Sequence, residues 1–303
     1  MRARNSSLRR TAAIGVLTAI SLIGVTAGAA PSVGEQTAVG VVAEYRPASA
    51  RFTFSRGPQA QQAPIQIGAV MMAGDRVKLP AAASVTVQLA NGELLQFKGP
   101  GTFTAPAAAR SLGKLAAVFR SLPALFDDEY RLAGTAAARG GENCVASGAT
   151  IASIDVPILA PDARVKAGTR DIPLGWRGGC PPFVVSVRAG MDRVVHRESI
   201  AGWQVRLDQA PLSVGRYSIL IQDSTGKRYE TTLEARAEMP APPADLAADG
   251  SPLGVAAQAV WLAGQEGGRW RLDSFDRLRP LIRSGDPLAG TIGDGLLWGR
   301  PVQ

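Results

Sequence analysis

The sequence is poor in the side chains on which most enzymes depend. Among its 303 residues there is one histidine, His196, and two cysteines, Cys144 and Cys180. A single histidine excludes a His-rich zinc site and the His-Glu-x-x-His metalloprotease motif. His196 follows Val194 and Val195 in a strand-like run that ends at Ile200, and reads as a surface-strand residue. A Ser-His-Asp triad would need it as the base, yet no Gly-x-Ser-x-Gly elbow is present. Neither cysteine belongs to a Cys-x-x-Cys motif, which speaks against redox catalysis. The acidic run Asp127-Asp128-Glu129 is a weak start for a carboxylate-based hydrolase. Adjacent helical residues point in different directions, and a solvated charge run is the simpler reading. No catalytic, cofactor-binding or metal-ligating residue is expected, and the chain is not expected to be an enzyme.

Long apolar runs are also missing, except at the start. Arg2, Arg4, Arg9 and Arg10 precede an uncharged stretch from Thr11 to Ala29, which closes on Ala27-Gly28-Ala29. That order is the pattern of a secretory signal peptide over residues 1–29. Its apolar centre is about 14 residues long, short of the roughly 20 that a spanning helix needs. A retained anchor is the alternative to cleavage. No later segment is expected to span a membrane. Export places the mature chain in a bacterial periplasm or outside the cell. Loss of the four leader arginines lowers the net charge from +8 to about +4. The remaining basic residues form no cluster interleaved with aromatics, so nucleic-acid binding is not expected. In an oxidising compartment the two cysteines suggest a Cys144–Cys180 disulfide. The loop would hold about 37 residues, worth roughly 4 kcal/mol by chain entropy.

The mature chain divides into three regions. Residues 30–110 read as short strands. Ala38 to Tyr45 is apolar and β-branched, Ile65-Gln66-Ile67 follows a loop, and Gly74-Asp75 leads into Arg76-Val77-Lys78-Leu79. Val85-Thr86-Val87-Gln88-Leu89 alternates with period two. Asn91-Gly92 is then a hairpin turn, because both positions tolerate positive φ. Leu94 to Phe97 returns, and Gly99-Pro100-Gly101 turns the chain again. The Gly-Asp turn, the alternating strand, the Asn-Gly hairpin and the Gly-Pro together resemble a FecR-like periplasmic domain over roughly 70 residues. The resemblance implies a β-rich extracytoplasmic interaction module. Family regulators of sigma factors carry a cytoplasmic segment and a membrane helix before this domain. Neither is visible here, so that role is not carried over. Asp75 is expected to cap backbone N–H groups in its turn.

Residues 111–142 are different. Leu112, Leu115, Ala116, Phe119 and Leu122 mark one apolar face of a short helix ending near Pro123. It would cover the edge of a β-domain, or dock on a partner or membrane surface. Gly134 to Gly141 reads as a hinge.

Residues 143–237 carry strand signals at Ile154–Leu159, Ile172–Trp176, Phe183–Val187, Arg193–Ile200, Gln204–Leu207, Tyr217–Ile221 and Arg228–Ala235. Their regular spacing argues for a β-sandwich. Leu212-Ser213-Val214-Gly215-Arg216-Tyr217 resembles the Leu-x-x-Gly-x-Tyr step of immunoglobulin-like and fibronectin-type domains. The resemblance makes Tyr217 a corner tyrosine and Trp176 the central core aromatic. Cys180 lies four residues after Trp176, so the disulfide would tie the start of the domain to a loop and not bridge two sheets.

A Pro- and Ala-rich linker, 238–250, precedes a helical region, 251–303. Ser251 caps and Pro252 fits the first helical position. Val255, Ala256, Ala259, Trp261 and Leu262 belong to a first helix, Trp270 to Ile282 to a second, and Pro287 to Leu297 to a third. The hairpin resembles tetratricopeptide-type helix pairs, without a second copy. So short a bundle cannot bury a large core alone, and is expected to pack on the sandwich or dock on a partner.

The overall expectation is a mostly β chain. It combines a small FecR-like β-domain, an immunoglobulin-like sandwich and a short C-terminal helical hairpin or bundle. Functionally it reads as a non-catalytic interaction protein of the cell envelope, binding an envelope or inner-membrane protein. Glycan or peptidoglycan binding is the alternative, and would need an exposed platform drawn from Trp203, Tyr45, Phe52 and Tyr229.

Overall fold

The structure, a computed structural model, describes residues 37–47, 52–57, 60–107, 110–123, 153–190 and 193–299. The signal-like segment, the Asp127-Asp128-Glu129 run, the 134–141 hinge and Cys144 lie outside these residues. The fold is mostly β, with helices gathered toward the C-terminus.

Eight strands make the first β-domain: β1 (Ala38–Arg46), β2 (Thr53–Arg56), β3 (Gln61–Pro64), β4 (Val70–Met72), β5 (Arg76–Leu79), β6 (Ser84–Leu89), β7 (Leu94–Lys98) and β8 (Gly101–Thr104). They form two four-stranded sheets, ordered β4-β1-β6-β7 and β3-β2-β5-β8. Between the sheets lie Val39, Val42, Phe54, Met71, Val77, Val85, Val87 and Phe97. The β6–β7 hairpin turns at Asn91-Gly92. Gly92 has φ +87°, a conformation that glycine adopts without steric cost. The Asn91 side chain locks the turn by accepting from the Glu93 N–H at 3.0 Å.

Strand β1 does not alternate cleanly, because both of its faces are covered. Val39 and Val42 enter the inter-sheet core. Val41 and Ala43 enter a second core shared with helices. Two bulges in the β1 pairings accompany this change of phase. A continuous apolar run is what a strand buried on two sides requires.

The second β-domain contains β9 (Ala163–Lys166), β10 (Gly168–Gly175), β11 (Phe183–Ala189), β12 (Arg193–Ile200), β13 (Gln204–Leu212), β14 (Gly215–Gln222) and β15 (Arg228–Arg236). A five-stranded sheet, β12-β11-β14-β15-β9, faces the pair β10-β13 as an immunoglobulin-like sandwich. Strand β9 joins β15 in parallel. The expected strand at Ile154–Leu159 is absent. Only an isolated bridge, Asp155 to Arg177, forms there. Ile154, Val156, Ile158 and Leu159 nevertheless sit in the core, so their apolar character reports burial and not pairing.

Among the described residues there are five α-helices: α1 (Leu115–Arg120), between β8 and β9 in the chain, and α2 (Ala244–Ala247), α3 (Pro252–Ala263), α4 (Arg271–Arg283) and α5 (Pro287–Trp298) after β15. Helix α3 starts as its sequence dictates. Ser251 Oγ accepts from the Gly254 N–H at 3.0 Å, and Pro252 occupies the first turn. The helices do not rest on the sandwich alone. Leu253, Ala256, Val260, Leu278, Leu288 and Ile292 pack with Val41, Ala43 and Val70 of the first β-domain. Leu272, Phe275 and Leu297 meanwhile reach the sandwich core. The C-terminal bundle thus lies between the two β-domains and shares a core with each.

Candidate functional site

The buried carboxylates Asp75 and Asp223 are engaged in holding the fold together. Asp75 is fully buried. It accepts from the Met72 N–H at 2.9 Å and from Arg56 Nη2 at 2.8 Å. Arg56 also donates to the Val70 carbonyl and lies over the Phe54 ring. The backbone contact matches the turn-capping expectation, and the half-buried arginine adds a counter-charge that the sequence did not announce.

Asp223 does the same for the second domain. Its carboxylate accepts from the N–H groups of Cys180, Thr225 and Lys227 and from Thr225 Oγ1. Burial works against its charge, but these four donors outweigh burial and hold the carboxyl below its ordinary value. Asp223 therefore ties the β14–β15 turn to the segment that carries Cys180. Cys180 is 1% exposed, and no cysteine among the described residues is free. Because Cys144 lies outside them, its pairing with Cys180 remains a proposal.

Trp176 is buried in the sandwich core, edge-on to Phe183 with centroids 5.2 Å apart. Tyr217 is buried too, and its hydroxyl donates to the Ser213 carbonyl at 3.0 Å. That upstream backbone contact is the geometry of a corner tyrosine. His196 faces Glu198 at 3.5 Å on a half-exposed strand.

Among the described residues, a group of charged side chains forms an ionic junction between β10 and α4. Arg170 Nη1 donates to Asp273 Oδ1 at 2.7 Å, and Arg170 Nη2 donates to Asp276. Arg279 donates to Asp276 and, at 3.0 Å, to Asp171 Oδ2. Asp273 also accepts from the Lys166 N–H. Charges alternate in sign along Asp171–Arg279–Asp276–Arg170–Asp273. Burial pushes the Asp276 carboxyl up, against the pull of both arginines. Asp171 is held down, chiefly by the Gln209 N–H and then by Arg279 and Arg206. Two carboxylates near each other can do hydrolytic chemistry. Here Asp273 and Asp276 share one guanidinium, so the arrangement is a clasp between a sandwich and a helix. The sequence could not show it, because Arg170 and Asp273 are 103 residues apart.

The aromatic platform needed for glycan binding is not assembled from its expected members. Phe52 is buried in the first core, and Tyr45 packs edge-on to it. Trp203 packs on Phe183. The Tyr229 hydroxyl donates to the Leu159 carbonyl. The apolar face of α1 is also consumed: Leu112, Ala116, Phe119 and Leu122 are buried in the helix-shared core. A docking role for that face is replaced by internal packing. Among the described residues, no group of three or more His, Cys, Asp or Glu side chains is placed to hold a metal. None of the described helices is long and apolar enough to cross a membrane.

The outward face of the five-stranded sheet remains. Its register places Arg197 opposite Ser186, Arg188 opposite Ser218, and Arg216 opposite Glu234. Sequence spacing hides this row, which appears only when the strands are aligned. No family model matches the chain, and no curated protein matches it. Among solved structures, CopC from Methylosinus trichosporium OB3b is similar at 20% identity over 30% of this chain and 97% of that one, with a TM-score of 0.20, a value too low to carry an argument.

Proposed function

We propose that this chain is an exported, non-catalytic interaction protein of the bacterial cell envelope, acting as an accessory or signalling scaffold for a membrane-bound protein partner. The observation that carries this reading is the helical bundle wedged between two β-domains, sharing an apolar core with each. Such a body presents two sheets at a fixed separation. Its buried carboxylates are occupied by arginines and backbone N–H groups that hold those parts in place. The FecR-like pattern of the first domain and the signal-like leader support a place for that body outside the cytoplasm. Fold-level analogy alone does not name an activity, so the reading stands or falls on a partner.

The test is crosslinking of the tagged, full-length protein in cells, followed by mass spectrometry of the envelope fraction. One dominant membrane-protein partner is the expected result. Recovery of wall fragments alone, or of no specific partner, overturns it. Pelleting of the purified protein with cell-wall sacculi would favour the glycan alternative.

A further inference from the structure

We propose that the outward face of the five-stranded sheet, centred on Arg188, Arg197 and Arg216, binds an acidic, extended segment of the partner protein. This rests on the interaction-protein reading above and names the chemistry of its partner.

Three observations converge. The first is charge. Pairing registers put Val194 and Ser218 on either side of Arg188, with Arg197 and Arg216 diagonal to it and Arg228 at the far corner beside Gln222. None of these four arginines has an ion-pair partner among the described residues. Glu234, by contrast, is engaged by Arg164 and Arg236. Glu230, opposite Leu220, is the nearest remaining carboxylate on the face. In the β10–α4 junction, by contrast, Arg170 and Arg279 are each engaged by carboxylates. A row of unmatched guanidiniums attracts anionic groups, and their planar forks take carboxylates bidentately.

The second is an unmet donor. Ser186 faces outward between core-facing Val185 and Val187, yet is 3% exposed. Longer side chains therefore lie over it, as arginine stems do on a sheet. On the same face of β11, Arg188 Nε is buried without a hydrogen-bond partner. A buried donor without an acceptor is costly and uncommon.

The third is the edge. Among the described residues, strand β12 is the outermost strand of its sheet, eight residues long and paired only with β11. Its free side can add an extended chain by main-chain hydrogen bonding. Val194, 49% exposed, lies in the same row as Arg188 and offers an apolar contact. Arginines of one sign beside an open edge fit an extended acidic peptide. A lipid surface would use the arginines but leave the edge unused.

The test titrates the purified full chain into a labelled peptide of alternating Glu and Val, about ten residues long, and follows anisotropy. The variant is Arg197→Glu/Arg216→Glu. Both side chains are exposed, so circular dichroism should show an unchanged fold. The control is Arg206→Glu, on β13 of the opposite sheet, where the arginine is exposed and paired with Asp208. Binding should weaken roughly tenfold or more in the double variant and stay unchanged in the control. It should also fall as salt rises from about 0.05 to 0.5 M. Absence of binding at low salt, or equal affinity for the double variant, overturns the assignment. So does arginine-dependent pelleting with phosphatidylglycerol vesicles that the peptide cannot compete away. The double variant also separates the two readings. If it still crosslinks the partner in cells, the interaction function stands and this face is not its site. If the wild-type chain recovers no partner, that function falls, while the titration still reports on the face.

Discussion

Gln88 in β6 donates a 2.7 Å hydrogen bond from Nε2 to Oδ2 of Asp286, the residue that caps helix α5. The other carboxylate oxygen of Asp286 accepts from the Ala289 N–H at 2.8 Å. One side chain therefore starts the last helix and fixes it to the outer face of the first β-domain. Thr291, one turn on, adds a hydrogen bond from Oγ1 to the Ala43 carbonyl. Asp286→Ala removes the cap and strands the amide of Gln88, which is 2% exposed. Cap loss costs about 1 kcal/mol, and an unsatisfied buried donor about 1–3 kcal/mol more. Urea unfolding should show a loss of about 2–4 kcal/mol. Asp286→Asn keeps one acceptor oxygen, which can still cap the Ala289 N–H, while its Nδ2 can only donate and cannot accept from Gln88, so its stability should lie between wild type and Asp286→Ala.

The β10–α4 clasp gives a sharper expectation. Arg170→Ala leaves Asp273, 8% exposed, and Asp276 without their shared counter-charge. Removing one partner of a buried pair costs about 3–5 kcal/mol, more than the pair itself contributes. Denaturant unfolding of Arg170→Ala should show that loss, and Arg46→Ala should show almost none. Arg46 and Glu44 are both exposed, and such pairs contribute about 0–1 kcal/mol. If both substitutions were equally mild, the junction would not hold the helix to the sandwich.

Asp223 should contribute to acid sensitivity. Its folded carboxyl titrates below the ordinary value because Thr225, Cys180 and Lys227 donate to it against the cost of burial. A carboxylate whose folded value is depressed adds stability above its unfolded value, near pH 4, and loses it as pH falls through the folded value. Wild-type stability should therefore decline more steeply below about pH 4 than that of Asp223→Asn, with the two curves converging in acid. Parallel curves would show that the charge on Asp223 contributes nothing.

Local chemistry was readable in the sequence; distant contact was not. Asn91-Gly92, Ser251-Pro252 and the Ser213-to-Tyr217 step each act within a few residues, and each forms in the structure. Strand β2 escaped notice because Thr53–Arg56 carries one buried apolar residue, Phe54, beside a glycine turn. Strand β8 was hidden behind Gly99-Pro100-Gly101, which reads as a turn and serves as one before pairing with β5. Strand β9 has four residues and pairs in parallel, so no hairpin signal points to it. The continuous run from Val39 to Ala43 could have revealed a strand covered on both sides. It could not reveal that helices 210 residues later supply the cover. Likewise, no spacing in the sequence gathers Arg188, Arg197 and Arg216. They meet because three strands pair in one register.

The cysteine pair can be tested without further structure. A thiol assay on the denatured, unreduced mature chain should detect no free cysteine if Cys144 and Cys180 are joined. Two free thiols would end that proposal. With the bridge intact, reduction should lower stability by about 4 kcal/mol for a loop of this length. It should also weaken the hold of Asp223 on the Cys180 N–H.

The contact between sandwich and bundle has a steric test at Gly175. A Cβ placed there would lie 2.9 Å from Leu297 Cγ and 3.3 Å from the Leu297 carbonyl oxygen. Strand β10 ends on a glycine because helix α5 presses against its backbone. Gly175→Val must therefore displace Leu297, which also packs on the sandwich core. Overpacking of this kind costs typically about 1–3 kcal/mol. If strain alone is responsible, Leu297→Ala, which opens the space, should restore part of the loss in the double variant. A double-mutant cycle in denaturant gives the coupling directly. A coupling near zero would mean that the two residues do not meet, and that the bundle is free of the sandwich at this point. A clear favourable coupling would show that the last helix and the second β-domain move as one body, as a scaffold presenting both sheets to a partner requires.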